Sequence, residues 1–235
     1  MRVGITLPTF TADAEAPVRR ALEAEAAGIH GAFVFDHLWP IGQPERPALS
    51  AYPMLAAVAA VTSTIRVGLL VARIGLLPDS LVEASLVSID ELSSGRLVAG
   101  LGIGDAKSQA ENDAYGIETR PVEDRRASLA RLLASLGRAG IERWVGATAP
   151  ATLEVARAAG VAINLWDVTA ERVAAEAALG PVTWGGPLPA DHAAAAEQLG
   201  ELQAAGASWV ICAWPGTIEL VVSAARRSGV VLGTE

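Results

Sequence analysis

Eight short apolar runs, each followed by a segment with helical spacing, constrain the fold of this chain more than any other feature of its sequence. The runs are Arg2–Leu7, Gly31–Phe35, Ile65–Val71, Leu97–Ile103, Glu142–Gly146, Ala162–Trp166, Val182–Gly185 and Ser208–Trp214. Helical segments are expected near 15–27, 53–62, 79–92, 122–138, 150–159, 169–178, 190–205 and 217–228. In the first of them Val18, Ala21, Leu22 and Ala26 form one stripe, with Glu15, Arg19, Arg20 and Glu23 on the other faces. Several strands are apolar throughout, as parallel strands covered on both sides should be. Eight alternating units predict an α/β protein with one domain over residues 1–235, a (β/α)₈ TIM-type barrel. The rival is a doubly wound Rossmann-like sheet, which would usually use about five or six strands and leave a repeat unassigned.

Composition narrows the partners. Apolar residues make up 51% of the 235, enough for a large core. The net charge of −8 argues against a nucleic-acid partner, since a nucleic-acid binder normally shows a clustered basic face. Cys212 is alone, so no disulfide within the chain and no cysteine metal cluster can form. No signal pattern precedes the first strand, and no apolar run is long enough to span a membrane. A reduced cytoplasmic setting and a small-molecule substrate are expected.

In a barrel the loops that follow the strands open onto the face where chemistry is found. Those after strand 2 (Asp36 to about Ala51) and strand 4 (Gly104 to about Pro121) are long, whereas those after strands 5 to 8 are short. Asp36-His37 ends strand 2, where a carboxylate beside an imidazole can position a proton donor or acceptor. A loop hydrogen bond would account for the same pair. His30, on the opposite rim, and His192, at the start of a helix, are expected to be structural.

Strand 4 ends in Gly100-Leu101-Gly102-Ile103-Gly104-Asp105, whose glycines could let a flat ring or a phosphate approach the backbone. This is not the dinucleotide fingerprint, which would need glycine at 105. Asp105 and Glu111 stand near Lys107 and Asn112. A carboxyl group in a dry pocket can act as an acid; for Glu111 a solvated surface position is the competing expectation. Arg73 ends strand 3 and could anchor an anion or be solvated. Gly146-Ala147-Thr148 forms a small-residue turn before a helix, a place that suits phosphate or a plain connection. Trp144, Trp166, Trp184 and Trp214 fall near the C-terminal halves of strands, with Trp39 in the loop after strand 2. Together they could wall a pocket for a flat ligand, although core packing explains each one singly. No metal site, Walker loop or nucleophile elbow is present in the sequence.

The order of Gly4-Ile5-Thr6-Leu7-Pro8, Glu25-Ala26-Ala27-Gly28, Phe33-Val34-Phe35-Asp36-His37-Leu38 and Ala59 through Gly68 resembles the luciferase-like monooxygenase family. Leu92-Ser93-Ser94-Gly95-Arg96 through Asp105, then Glu111-Asn112 and Tyr115-Gly116, carries the most specific part of that resemblance, which covers about residues 1–165. The resemblance implies a barrel that binds coenzyme F420 or, alternatively, FMN. It implies hydride transfer with His37 and Asp105 nearest the reacting atoms. Asp36, Leu70, Val71, Arg73, Gly102, Gly104, Gly146, Ala147 and Thr148 would then hold the cofactor, and Trp39, Glu111, Trp166 and Trp214 would line the substrate pocket. It also implies a non-proline cis peptide at Leu70–Val71 and a homodimer built from early barrel helices. A non-catalytic flavin-binding relative is the remaining alternative.

Overall fold

The computed structural model describes residues 1–233. Eight parallel strands close into one barrel in sequence order: β1 (Arg2–Thr6), β2 (Gly31–Val34), β3 (Arg66–Arg73), β4 (Leu97–Gly102), β5 (Glu142–Gly146), β6 (Ala162–Trp166), β7 (Val182–Gly186) and β8 (Trp209–Cys212). The helices are α1 (Ala16–Ala26), α2 (Ala51–Val61), α3 (Asp79–Leu92), α4 (Gln109–Ala114), α5 (Val122–Arg138), α6 (Pro150–Ala158), α7 (Ala170–Ala177), α8 (His192–Ala204) and α9 (Ile218–Arg227). The eight-unit rhythm is therefore a single-domain (β/α)₈ barrel, with β8 pairing back onto β1. A closed sheet of this kind excludes the Rossmann-like rival. Among the described residues no helix is long and apolar enough to cross a membrane.

Both faces of the strands are buried, which is why the strands are apolar throughout. Val3, Val34, Leu69 and Leu101 pack outward beneath the helices in the main core. The alternate positions Phe33, Val98, Trp144, Trp209 and Ile211 form a second cluster inside the barrel. There Phe33 stacks on Trp144 at 5.3 Å, and Trp209 meets both rings edge-on. Glycine on neighbouring strands makes the room: a side-chain carbon added at Gly31 or Gly68 would fall 2.7 Å from the Phe33 ring. Burying each large ring stabilises the fold by roughly 1.5–3 kcal/mol.

Several boundaries differ from the sequence expectation. The buried stripe of α1 is Pro17, Ala21 and Ala24, while Leu22 and Ala26 face outward, so small residues meet the barrel. β3 runs past Val71 to Arg73 because its pairing with β4 resumes after a bulge between Leu69 and Ala72. The long loop after β4 is not bare: it holds a short turn of helix at Ala106–Ser108 and then α4.

Candidate active site

The C-terminal ends of β2, β3 and β4 bring four expected residues together: Asp36, His37, Arg73 and Glu111. Glu111 is at the centre and is only 1% exposed. Its Oε1 lies 2.9 Å from His37 Nδ1, and its Oε2 lies 2.9 Å from Arg73 Nη2. The Leu38 backbone N–H also donates to Oε2 at 3.4 Å. The expectation of a solvated Glu111 is thus overturned, because α4 folds over the mouth and carries the carboxylate inward. Trp39 helps to set that fold. Instead of standing free as a pocket wall it is largely buried, with its ring 5.6 Å from that of Tyr115 just after α4.

Arg73 is 5% exposed and its backbone N–H donates to Asp36 Oδ2 at 2.9 Å. Its Nε and Nη1 have no hydrogen-bond acceptor among the described residues. Solvation of this arginine, the alternative reading from sequence, does not occur. Burial pushes the Asp36 carboxyl up to about 6, against the Arg73 N–H and the nearby Arg73 and His37, which favour its charge. Burial, followed by the Asp36 charge, also pushes the Tyr52 hydroxyl up. An acid whose folded-state value is raised holds its proton more tightly when folded, so the contribution of Asp36 to stability is fully present below about pH 4 and is lost as pH rises through about 6. Two units correspond to about 2–3 kcal/mol. Asp36→Asn keeps the acceptor for the Arg73 N–H, so its stability relative to wild type should rise by about that much between pH 4 and pH 8. Urea midpoints at the two pH values check this; a constant difference would mean that Asp36 is charged throughout.

Asp105 lies on the same rim as His37 but in different surroundings. It is exposed, and its carboxylate accepts the Lys107 N–H at 2.9 Å, starting the turn that leads into α4. The expected carboxyl in a dry pocket is Glu111, six residues later. Arg125 fixes the turn from behind, donating from Nη1 to the carbonyls of Ile103 and Gly104.

The glycines at the ends of β4 and β5 are occupied by the chain itself rather than left open for a ligand. A carbon added at Gly102 would fall 2.5 Å from Val71 Cγ2, and one at Gly146 would fall 2.8 Å from Val71 Cγ1. Gly104 has a positive φ of 70° and would meet the Arg73 stem at 3.3 Å. Val71 is the bulged residue of β3, and the Leu70–Val71 peptide is cis. Gly146 and Ala147 are half-buried and Thr148 is exposed, just ahead of α6, which takes no side-chain cap.

The tryptophans divide by strand parity. Trp144 is in the barrel interior, and Trp184 is fully buried with its Nε1 donating to Val168 O at 2.8 Å. Neither reaches the mouth: Trp144 instead helps to line a cleft at the opposite end of the barrel. Trp214 is half-exposed, its ring 5.1 Å from the Arg20 guanidinium of α1. Trp166 is 40% exposed and rests where a Gly185 side chain would be, its Cε3 2.7 Å from that point. It reaches Phe35, which follows the strand opposite, at 5.3 Å, and Phe10 stacks on Phe35 at 5.9 Å. These three rings floor the mouth. Phe10 and Phe35 were not singled out from sequence, although Phe35 shares its strand parity with Phe33.

A cleft of about 660 Å³ lies at the other end of the barrel, lined by Met1, Arg2, His30, Glu142 and Trp209 among others. The paired imidazole, carboxylates and guanidinium gather at the mouth and not in this cleft. Chemistry follows such groups rather than volume.

The family model for luciferase-like monooxygenases matches residues 1–208. No curated protein sequence matches the chain. Among solved structures, an F420-dependent secondary alcohol dehydrogenase in complex with an F420–acetone adduct is similar at a TM-score of 0.78 and 10% identity, covering 98% of each chain. The coenzyme F420-dependent tetrahydromethanopterin reductase of Methanopyrus kandleri is similar at 0.72 and 13%, covering 95% of this chain and 96% of that one. The oxygenating constituent of 3,6-diketocamphane monooxygenase of Pseudomonas putida, in complex with FMN, is similar at 0.74 and 12%, covering all of both chains. At such identities these likenesses establish the fold alone.

Proposed function

Because the chain belongs to the luciferase-like monooxygenase family, we propose that it is an oxidoreductase that transfers hydride to or from a small organic substrate, using coenzyme F420 in preference to FMN. The observation that carries this reading is the placement of His37, braced by Glu111, beside an exposed aromatic floor at the barrel mouth. That floor fits a planar ring: Trp166 is 40% exposed, and Leu70 packs beside it over Gly185. The unsatisfied Nε and Nη1 of Arg73 fit an electron-rich ring edge or a carbonyl nearby. Gly146, Ala147 and Thr148, ahead of the uncapped α6, suit the phosphate of either cofactor.

When bound, the flavin or deazaflavin ring supplies the hydride chemistry, and the protein supplies orientation and proton handling. His37 takes the proton of a substrate hydroxyl as its carbon loses hydride, or returns it in the reverse direction. Asp36 holds the Arg73 backbone, and Arg73 holds Glu111, so the imidazole meets the substrate in one orientation. Asp105 contributes by starting the turn that delivers Glu111. Trp166 and Trp214 bound the open side, where the substrate enters. Exposed Leu81, Val87 and Leu92 on α3, with Val61 on the neighbouring α2, support a homodimer through those helices.

Titration with each cofactor, followed by absorbance and fluorescence, tests the reading. We expect F420 to bind more tightly than FMN, and uptake of FMN alone would point to a monooxygenase of the same fold. His37→Ala should retain the cofactor while kcat falls about 100-fold. Ring binding without turnover on any alcohol or carbonyl would identify a non-catalytic relative.

A further inference from the structure

We propose that Glu111 is the positioning residue of this site: it holds the Nδ1 proton of His37, so that Nε2 is the atom that exchanges protons with the substrate. For its catalytic consequence the inference rests on the oxidoreductase reading above, but the tautomer itself does not.

An ionised carboxylate accepts hydrogen bonds and donates none. Both contacts on Glu111 Oε2, from Arg73 Nη2 at 2.9 Å and from the Leu38 N–H, come from donors, so the carboxylate stands in this cluster as an acceptor. The contact of 2.9 Å between Oε1 and His37 Nδ1 therefore places a proton on Nδ1. In the neutral imidazole Nε2 is left as an acceptor, and on the partly exposed His37 it is the nitrogen available to the mouth. Glu111 can hold this position because it is fixed from two sides: Arg73 on one oxygen, and the Trp39–Tyr115 contact that anchors α4. The chain carries its own control. His30 accepts the Val3 N–H at Nδ1 at a distance of 3.1 Å, so the proton of its neutral ring is on Nε2, the opposite tautomer.

The test is a long-range ¹H–¹⁵N correlation spectrum of the labelled, cofactor-free full chain at about pH 8, where neutral imidazoles dominate. We expect His37 to show the Nδ1–H pattern and His30 the Nε2–H pattern. An Nε2–H pattern at His37 overturns the proposal without need of a variant. In Glu111→Gln the amide oxygen still accepts, and the Nδ1–H pattern should persist. In Glu111→Ala it should be lost; persistence there would also overturn the proposal. If Glu111→Ala does not fold, Arg73→Met combined with Glu111→Ala removes both buried charges and reads the same signal. With cofactor bound, Glu111→Ala should lower kcat about 100-fold with KM changed less than about twofold, and Glu111→Gln should recover most of that loss. An Nδ1–H pattern without turnover on either cofactor keeps the positioning role and removes the oxidoreductase reading. Turnover with an Nε2–H pattern does the reverse.

Discussion

Arg73→Met is expected to lower the free energy of unfolding by about 3–5 kcal/mol, the usual result of removing one partner from a buried ion pair. Methionine preserves most of the stem that packs against Gly104. What disappears is the positive charge beside two buried carboxyl groups, Glu111 and Asp36. Glu111 is 1% exposed, so water cannot replace the guanidinium without opening α4. Adding Glu111→Gln removes the carboxylate charge that Arg73 leaves behind and keeps an acceptor for His37 Nδ1. The double variant should therefore be more stable than Arg73→Met alone, by about 2 kcal/mol, even though it carries one more substitution. Urea unfolding of the four proteins in this cycle decides the matter. Purely additive losses would mean that Arg73 stabilises the site by packing and not by neutralising Glu111.

The sequence displayed the barrel clearly because its signal repeats. Each of the eight strands is apolar on both faces and is followed by a helix, so an error at one boundary, such as the late end of β3, leaves the topology intact. The site was legible only in part. Asp36-His37 and Arg73 end strands, where side chains must face the mouth or the layer around it. Glu111 was harder to place, since Gln109–Ala114 is a polar stretch with no apolar period and looks like exposed loop. What buries it is tertiary: the ring contact between Trp39 and Tyr115, and a guanidinium from the end of β3, the strand before β4. The tryptophans are legible in part for a related reason: closeness to a strand end marks Trp166 at the mouth, whereas Trp144 lies deeper inside the barrel and parity sends Trp184 beneath the helices.

Parity and close packing also account for the glycines of β4, and they lead to the second large effect. Gly102→Ala is expected to destabilise the fold by about 3 kcal/mol, the upper end for overpacking a well-filled site. The added methyl would fall 2.5 Å from Val71 Cγ2. Val71 has little room to retreat, because its other methyl already occupies the space a Gly146 side chain would need, with Cγ1 2.8 Å from that point. If the clash with Val71 is the cause, Val71→Ala should rescue Gly102→Ala. Val71→Ala alone should cost about 1–2 kcal/mol for the methyl groups it removes, yet in the Gly102→Ala background it should restore about 1–2 kcal/mol. A change of sign of this kind cannot arise from two independent losses. It would establish that Gly102 exists to seat the bulged residue of β3, and that any cofactor meets Val71 at the mouth rather than the bare backbone of β4. Equal costs for Val71→Ala in both backgrounds would instead return the glycine to the role suggested by sequence, an opening left for a ligand.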